Sequence, residues 1–131
     1  MTPEIQMIQK QLAALFEKYK GKILFAYCFG SLVKGNSSPL SDIDLAFYVK
    51  PENDLFDLKL ALYTDCSRLL HRDDLGIIIL NALKNLILAD EIVTKGVLIY
   101  DSQPEQRINY EIRIHHQALD FKYQRKMLVG V

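Results

Sequence analysis

Four residues between positions 30 and 44 have types and a spacing that suit the binding of phosphate and metal ions. Gly30 and Ser31 are followed, after ten residues, by Asp42 and Asp44. Successive side chains of a strand point to opposite faces, so the two carboxylates are expected on one face about 7 Å apart, at about 3.3 Å per residue. Mg²⁺ is commonly bound by one or two carboxylates together with phosphate oxygens and water. The pattern therefore predicts a nucleotide and metal site.

Two apolar segments must position these residues. The run at 23–29, Ile-Leu-Phe-Ala-Tyr-Cys-Phe, predicts a buried strand that ends at Gly30, and the Gly-Ser pair can open a helix whose free N–H groups attract phosphate. Residues 41–49 predict a second strand that begins with the two aspartates. The turn-rich connection over residues 35–41 is the expected rim of the site.

Two other phosphate or metal motifs fail on the same residues. A P-loop starting at Gly30 would need lysine where the chain has Asn36, and Pro39 interrupts the helix that should follow. An EF-hand starting at Asp42 would need glycine where the chain has Phe47. An isolated Asp-Xaa-Asp is most often a pair of solvent-facing residues at the start of a strand. The Gly-Ser pair at this spacing favours a nucleotide site instead.

Composition predicts a single domain over residues 1–131 that can bury a core, since 131 residues suit one domain and 50% of them are hydrophobic. No apolar stretch is long enough to span a membrane and no leader is recognised, so the expected location is the cytoplasm. The 16 basic residues are balanced by 16 acidic ones, which argues against a nucleic-acid partner and a template-directed polymerase. Cys28 and Cys66 are expected in the core.

Helical and strand patterns alternate along the chain, which indicates an α/β (α+β) fold. Thr2 and Pro3 can begin a first helix that presents one apolar face and stops near Gly21. The C-terminal segment, about 103–127, predicts a charged helix whose apolar residues are too scattered for one face, so that some are available to a partner. The other expected elements are a helix over about 53–71, a strand over 75–80, a helix over about 83–95 and a strand over 97–100.

The stretch from Ala26 through Gly30-Ser31 to the Ser-Asp-Ile-Asp-Leu sequence at 41–45 resembles the minimal nucleotidyltransferases (MNT) of the polymerase β superfamily, the antitoxins of HEPN/MNT toxin–antitoxin type. The resemblance includes a basic residue, Lys34, before a second glycine, Gly35. It extends loosely over most of residues 22–125. It implies the polymerase β-like nucleotidyltransferase fold, with a small central mixed sheet flanked by helices.

This resemblance implies transfer of a nucleoside monophosphate, AMP from ATP, to a hydroxyl group with release of pyrophosphate. Such chemistry depends on positioning and charge neutralisation. Gly30, Ser31 and Lys34 are the expected nucleotide-binding residues, with Lys34 equally compatible with a solvated surface lysine. Asp42 and Asp44 are the expected catalytic residues and the ligands of Mg²⁺.

The chain departs from the family at the third carboxylate. Active members usually carry it on the next central strand, and counting back from Leu80-Asn81 that position is Gly76. Asp73 and Asp74 could replace it only if a bulge shifted the register, which a glycine in a strand often marks, and loop charges are their more common role. Activity is therefore uncertain on the sequence alone.

Two functions are consistent with these residues. One is an antitoxin enzyme that uses ATP and Mg²⁺ to adenylylate a tyrosine of a partner HEPN ribonuclease toxin. The alternative is a catalytically weakened antitoxin that neutralises its toxin by binding alone, which Gly76 favours. Nucleotide preference, acceptor and oligomeric state remain open. The three histidines and Tyr110 are not expected in the site, and Tyr110 is expected to serve packing.

Overall fold

A four-stranded mixed sheet lies at the centre of the computed structural model, which describes residues 1–35, 42–51 and 54–129. The strand order is β3-β2-β1-β4; β1 is antiparallel to β2 and β4, and β2 is parallel to β3. The mixed sheet flanked by helices confirms the predicted fold class. The elements are α1 (Pro3–Gln11), α2 (Ala13–Lys18), β1 (Ile23–Phe29), α3 (Ser31–Lys34), β2 (Ile43–Val49), α4 (Leu55–Leu70), β3 (Leu75–Ile79), α5 (Leu86–Lys95), β4 (Val97–Asp101) and α6 (Pro104–Val129).

The N-terminal helical segment begins as its capping residues predict. The Thr2 side chain accepts a hydrogen bond from the backbone N–H of Ile5, and Pro3 occupies the first turn. The prediction of one continuous helix is wrong, because the backbone of Leu12 leaves the helical conformation and separates α1 from α2. Leu12 still donates to the carbonyl of Ile8, so both helices keep one apolar face. The predicted members of that face are all buried: Ile5, Ile8, Leu12, Leu15 and Phe16.

Both faces of the sheet are covered, which explains why β1 is apolar throughout. Ala26 and Cys28 face the cluster formed with α1, α2 and α4, whereas Phe25 and Tyr27 face the cluster formed with α5 and α6. Tyr110 of α6 packs in the second cluster, as predicted. Cys28 and Cys66 are both buried without a disulfide, which confirms their assignment to the core.

The remaining elements follow the predicted ones with shifted ends. A 3-10 turn at Leu80–Ala82 ends the strand segment, and Asn85 then caps α5, so α5 begins later than the periodicity predicts. The Asn81 amide forms hydrogen bonds to both the N–H and the carbonyl of Val49, which joins this turn to β2. No helix in the described part of the chain combines the length and hydropathy that a membrane span needs.

Candidate nucleotide and metal site

One end of the sheet brings together three positions that are distant in the sequence. Phe29, the last residue of β1, pairs with Asp44 of β2, and Asp44 pairs with Gly76 of β3. Gly30 follows directly after Phe29. The Asp44 carboxylate is therefore flanked by Gly30 on one side and Gly76 on the other. The predicted rim falls mostly on residues 36–41, outside the described part of the chain.

The Gly-Ser pair opens a helix, as predicted, although α3 contains only four residues. Gly30 is its N-cap with φ of +83°, a left-handed conformation that glycine adopts without strain. Its carbonyl accepts hydrogen bonds from Val33 and Lys34, and Gly35 ends the helix with φ of +79°. A single turn offers phosphate its own first N–H groups rather than the dipole of a long helix.

Asp42 and Asp44 alternate with buried Ile43 and lie on the face of the sheet that α5 and α6 cover. Asp42 is exposed and Asp44 is half-buried. Burial raises the pKa of the Asp44 carboxyl above its ordinary value, and the negative charge of Asp42 raises it further. The two carboxylates thus repel one another in a partly desolvated place.

These two carboxylates fit a hard divalent cation. No donor in the described ranges forms a hydrogen bond or ion pair with Asp44, so its oxygens are available, and a cation would relieve the repulsion from Asp42. Within the same ranges, no group of three or more His, Cys, Asp or Glu side chains is arranged to hold a metal ion. In the described part of the chain, the candidate centre therefore consists of Asp42 and Asp44.

The other candidates for a third carboxylate are engaged elsewhere. The pairing of β2 with β3 runs without interruption, so no bulge moves Asp73 or Asp74 into register with Asp44. Asp74 forms an ion pair with Arg72, whose side chain lowers the pKa of that carboxyl. Asp73 accepts a hydrogen bond from the Ser67 hydroxyl at 2.7 Å. Both residues act as charges of the loop between α4 and β3.

Lys34 lies beside the Gly-Ser turn and contacts α5. Its Nζ is 3.1 Å from Oε1 of Glu91, and both side chains are substantially exposed. A cleft of about 140 Å³ lies at this place, lined by Gly30, Lys34, Glu91 and Lys95 among others. Lys34 is therefore at the nucleotide end of the sheet but is paired with a carboxylate. Exposed pairs of this kind typically contribute about 0.2–1 kcal/mol, so a triphosphate could compete for the lysine.

Glu91, Lys95 and Arg72 are neighbours of the site that no pattern in the sequence indicates. Glu91 and Lys95 are spaced by four residues on α5, which is typical of any solvated helix face and carries no functional signal by itself. Their position beside Gly30 results from the packing of α5 against β1. Arg72 also lies in the electrostatic reach of Asp42, whose charge helps to raise the pKa of its guanidinium after the larger effect of Asp74.

Comparison with known protein families gives one match that covers most of the chain. The profile described as "Polymerase beta, Nucleotidyltransferase" matches residues 10–105. The protein belongs to this nucleotidyltransferase family. The matched region contains β1 to β4 and every predicted site residue. Comparison with curated protein sequences finds no match.

Three solved structures with a similar fold come from toxin–antitoxin complexes. A crystal structure of a toxin–antitoxin with AMP-PNP matches with a TM-score of 0.77 at 19% identity, covering 93% of this chain and 95% of that one. The MntA-HepT toxin–antitoxin structure matches with a TM-score of 0.72 at 17% identity, covering 95% and 96%. The structure of a tri-AMPylated Shewanella oneidensis HEPN toxin in complex with MNT antitoxin matches with a TM-score of 0.73 at 17% identity, covering 95% of each chain. At these identities, the likeness shows the fold.

Proposed function

We propose that the protein is a Mg²⁺-dependent nucleotidyltransferase that transfers AMP from ATP to a hydroxyl group and acts as the antitoxin of a HEPN toxin. The observation that carries the proposal is the placement of Asp42 and Asp44 beside the Gly30-Ser31 turn in a chain of the nucleotidyltransferase family. The AMP-PNP and the tri-AMPylated HEPN toxin named for two structural neighbours support ATP as the donor and a toxin as the acceptor. The proposed acceptor group is a tyrosine hydroxyl, as the resemblance to HEPN/MNT antitoxins implies.

Each residue has a distinct role in this proposal. Gly30 allows close backbone approach of the triphosphate, and Ser31 donates its hydroxyl and N–H to a phosphate oxygen. Lys34 leaves Glu91 to contact phosphate. Asp42 and Asp44 hold Mg²⁺, which supplies charge neutralisation and orientation of phosphate oxygens when bound. The acceptor hydroxyl comes from the partner.

The exposed face of α6 supports a protein partner. Tyr110, Ile114 and Ala118 pack one side of α6 against the body, while the opposite side carries five exposed apolar residues. At about 100° per residue, these five fall within an arc of about 100°. Exposed apolar residues aligned over several turns are typical of protein contact surfaces. They are Ile108, Ile112, Leu119, Tyr123 and Met127. We propose that the HEPN toxin covers this face, because chains of the same fold are found in complexes with HEPN toxins.

One observation favours a second function, an antitoxin that neutralises its toxin by binding alone. Gly76 stands beside Asp44, so among the described residues the centre has two carboxylates and no third acidic side chain to assist activation of the acceptor hydroxyl. In this alternative, the nucleotidyltransferase fold serves as a contact scaffold and α6 carries the function.

The two functions predict different results when the transfer of label from ATP to the toxin is measured. Purified protein would be incubated with labelled ATP and Mg²⁺, with and without its toxin, beside the variant that combines Asp42→Asn and Asp44→Asn. Label on the toxin that disappears with the variant supports the enzyme. Toxin neutralised equally by both proteins, without label, would contradict the enzyme and support the binding antitoxin.

A further inference from the structure

Helix α6 is fastened to the rest of the protein along its first half. Near its start, Arg107 forms an ion pair with Asp101 of β4 at 2.7 Å. Further along, Nδ1 of His115 lies 2.9 Å from Oδ1 of the buried Asp90 of α5. Ala118 is the last residue of α6 that the described part of the chain shows as buried. The helix therefore continues beyond the packed core.

Residues 119–128 of this helix are called here the α6 tail. The tail spans about 15 Å at about 1.5 Å per residue, and all of its residues are exposed. Within the described ranges, no tail side chain forms a hydrogen bond or an ion pair with another element. A helical end without tertiary packing has little stability of its own. The tail is therefore expected to fray until a partner covers it.

The α6 tail carries apolar side chains on two nearly opposite sides. One side continues the stripe of Ile114 and Ala118 that packs against the body, because Phe121 and Leu128 fall within about 80° of Ala118 at about 100° per residue. Phe121 is 41% exposed and Leu128 is 87% exposed. The other side is centred about 150° away and consists of Leu119, Tyr123 and Met127. A partner that covered only one side would leave the other in water.

Basic residues occupy one flank between these two apolar sides. Lys122, Arg125 and Lys126 fall within an arc of about 100°. Asp120 and Gln124 lie on the opposite flank. The two apolar sides and the basic flank thus form one continuous surface around about 260° of the helix, and the flank of Asp120 and Gln124 is left for solvent.

A groove in a partner protein fits this surface better than a lipid bilayer or a second copy of the chain. A helix that lies on a bilayer buries one side and keeps a polar side opposite, so it would leave either Phe121 and Leu128 or the outer side in water. Two tails packed antiparallel would bring the basic residues of both copies together, and like charges across an interface repel. A groove can enclose both apolar sides of a helix, and acidic residues along its wall would pair with the basic flank.

We propose that the α6 tail inserts into an apolar groove with an acidic wall on the HEPN toxin, so that Phe121 and Leu128 are buried together with the outer side of α6. The burial of both sides rests on the geometry of the tail, and the identity of the partner rests on the proposed function. Asp120 and Gln124 remain in solvent in the complex. The tail becomes fixed as a helix when the toxin binds.

The affinity of variants for the purified toxin tests the groove. Phe121→Asp and Leu128→Asp should each raise the Kd by about tenfold or more, because a charge replaces an apolar anchor of the interface. Gln124→Asp is the matched control. It introduces the same side chain on the solvent flank and should change the Kd by less than about twofold. Thermal unfolding midpoints should equal that of the wild type for all three variants, since the three positions are exposed. Amide hydrogen exchange over residues 119–128 should be fast in the free protein and slow in the complex.

Several outcomes would overturn the groove. One is wild-type affinity of Phe121→Asp and Leu128→Asp, and another is an equally large loss in Gln124→Asp, which would point to a weakened helix. A lowered unfolding midpoint of Phe121→Asp, or slow exchange of the tail in the free protein, would show that the tail packs against the body.

Two further measurements test the other occupants. Binding to vesicles of phosphatidylcholine and phosphatidylglycerol that Phe121→Asp abolishes would assign the tail to a bilayer. Self-association in light scattering that the same variant abolishes would assign it to a second copy. Absence of toxin binding by the wild type would overturn the proposed function together with the groove, whereas toxin binding that none of the tail variants changes would overturn the groove alone.

Discussion

Two carboxylates in this protein, the buried Asp65 and the half-buried Asp44, have opposite surroundings. Asp65 of α4 accepts hydrogen bonds from the Tyr19 hydroxyl at 2.7 Å and from Lys18 Nζ at 2.9 Å, and forms an ion pair with Arg68 at 3.3 Å. Burial alone would raise the pKa of Asp65, but the hydrogen bonds from Lys18 and Tyr19, together with the charges of Lys18 and Arg68, outweigh it, so the pKa is lowered. Asp44 has no such donor in the described chain, and burial together with Asp42 raises its pKa.

This difference distinguishes a structural carboxylate from one suited to binding. A charge that stabilises a fold is satisfied by partners within the same chain, because an unsatisfied buried charge is costly. A carboxylate that is left without partners, beside a second negative charge, is stabilised only when a cation or a proton arrives. Asp65 therefore belongs to the connection between α2 and α4, and Asp44 belongs to the candidate site.

Removing the charges of the candidate site should have the largest effect on function. The combination of Asp42→Asn and Asp44→Asn should lower the rate of AMP transfer by about 100-fold or more, because even the indirect partners of metal ligands contribute about 10–100-fold. The fold should be retained, since no described partner is lost. Transfer rate and circular dichroism are the measurements. Wild-type transfer by the variant would contradict the site.

Asp65→Ala should change the stability of the protein and leave ATP binding unchanged. Loss of the carboxylate leaves the buried Tyr19 hydroxyl without its acceptor, so the free energy of unfolding should fall by about 1–3 kcal/mol. Lys18 and Arg68 are exposed and can be solvated again. Urea unfolding measures the loss. ATP affinity should remain at the wild-type level, and a large change in it would break the distinction between the two carboxylates.

The two carboxylates should give opposite dependences of stability on pH in metal-free buffer. The pKa of Asp44 is raised in the folded state, so its stabilising contribution is present below its ordinary value of 3.8 and is lost as pH rises through the raised value. The pKa of Asp65 is lowered, so its contribution is present above 3.8 and is lost as pH falls through the lowered value.

Unfolding of Asp44→Asn and Asp65→Asn checks whether the two carboxylates change the stability of the protein in opposite directions. At about pH 7, Asp44→Asn should be more stable than the wild type and Asp65→Asn less stable, with both differences shrinking on acidification. Measurements in chelator exclude a contribution from bound metal. A destabilised Asp44→Asn at neutral pH would mean that the carboxylate has a favourable partner in the folded chain.

The smallest expected effect concerns the pair between Lys34 and Glu91. Glu91→Gln should raise ATP affinity by less than about fivefold, because Lys34 no longer has to leave an exposed ion pair that is worth about 0.2–1 kcal/mol. Glu105→Gln, at the exposed start of α6, is the matched control and should change nothing. Titration calorimetry measures both. A weaker affinity in Glu91→Gln would show instead that Glu91 holds Lys34 in place for phosphate.

Local patterns in the sequence predicted most of the fold. The apolar run of β1 and the alternation in β2 placed both strands correctly, because periodicity reports which faces are buried. Counting back from Asn81 assigned the position of the third carboxylate to Gly76, and the structure shows that Gly76 pairs with Asp44. The interruption at Leu12 carries no glycine or proline and could not be foreseen.

The surroundings of the site could be predicted only in part. Gly30 follows β1, and Asp42 and Asp44 stand at the start of β2, so the pairing of these two consecutive strands brings them together. The pairs of Lys34 with Glu91 and of Asp74 with Arg72, by contrast, depend on side-chain directions or on the packing of α5, which periodicity does not report.

The most direct test of the central claim is the Mg²⁺ dependence of ATP affinity. ATP binding to the wild type and to the Asp42→Asn, Asp44→Asn variant would be titrated with Mg²⁺ and with chelator, with Asp65→Asn as the control carboxylate. We predict that Mg²⁺ strengthens ATP binding to the wild type and to Asp65→Asn but not to the double variant. Equal Mg²⁺-dependent affinity of all three proteins would contradict the assignment of Asp42 and Asp44 to the site.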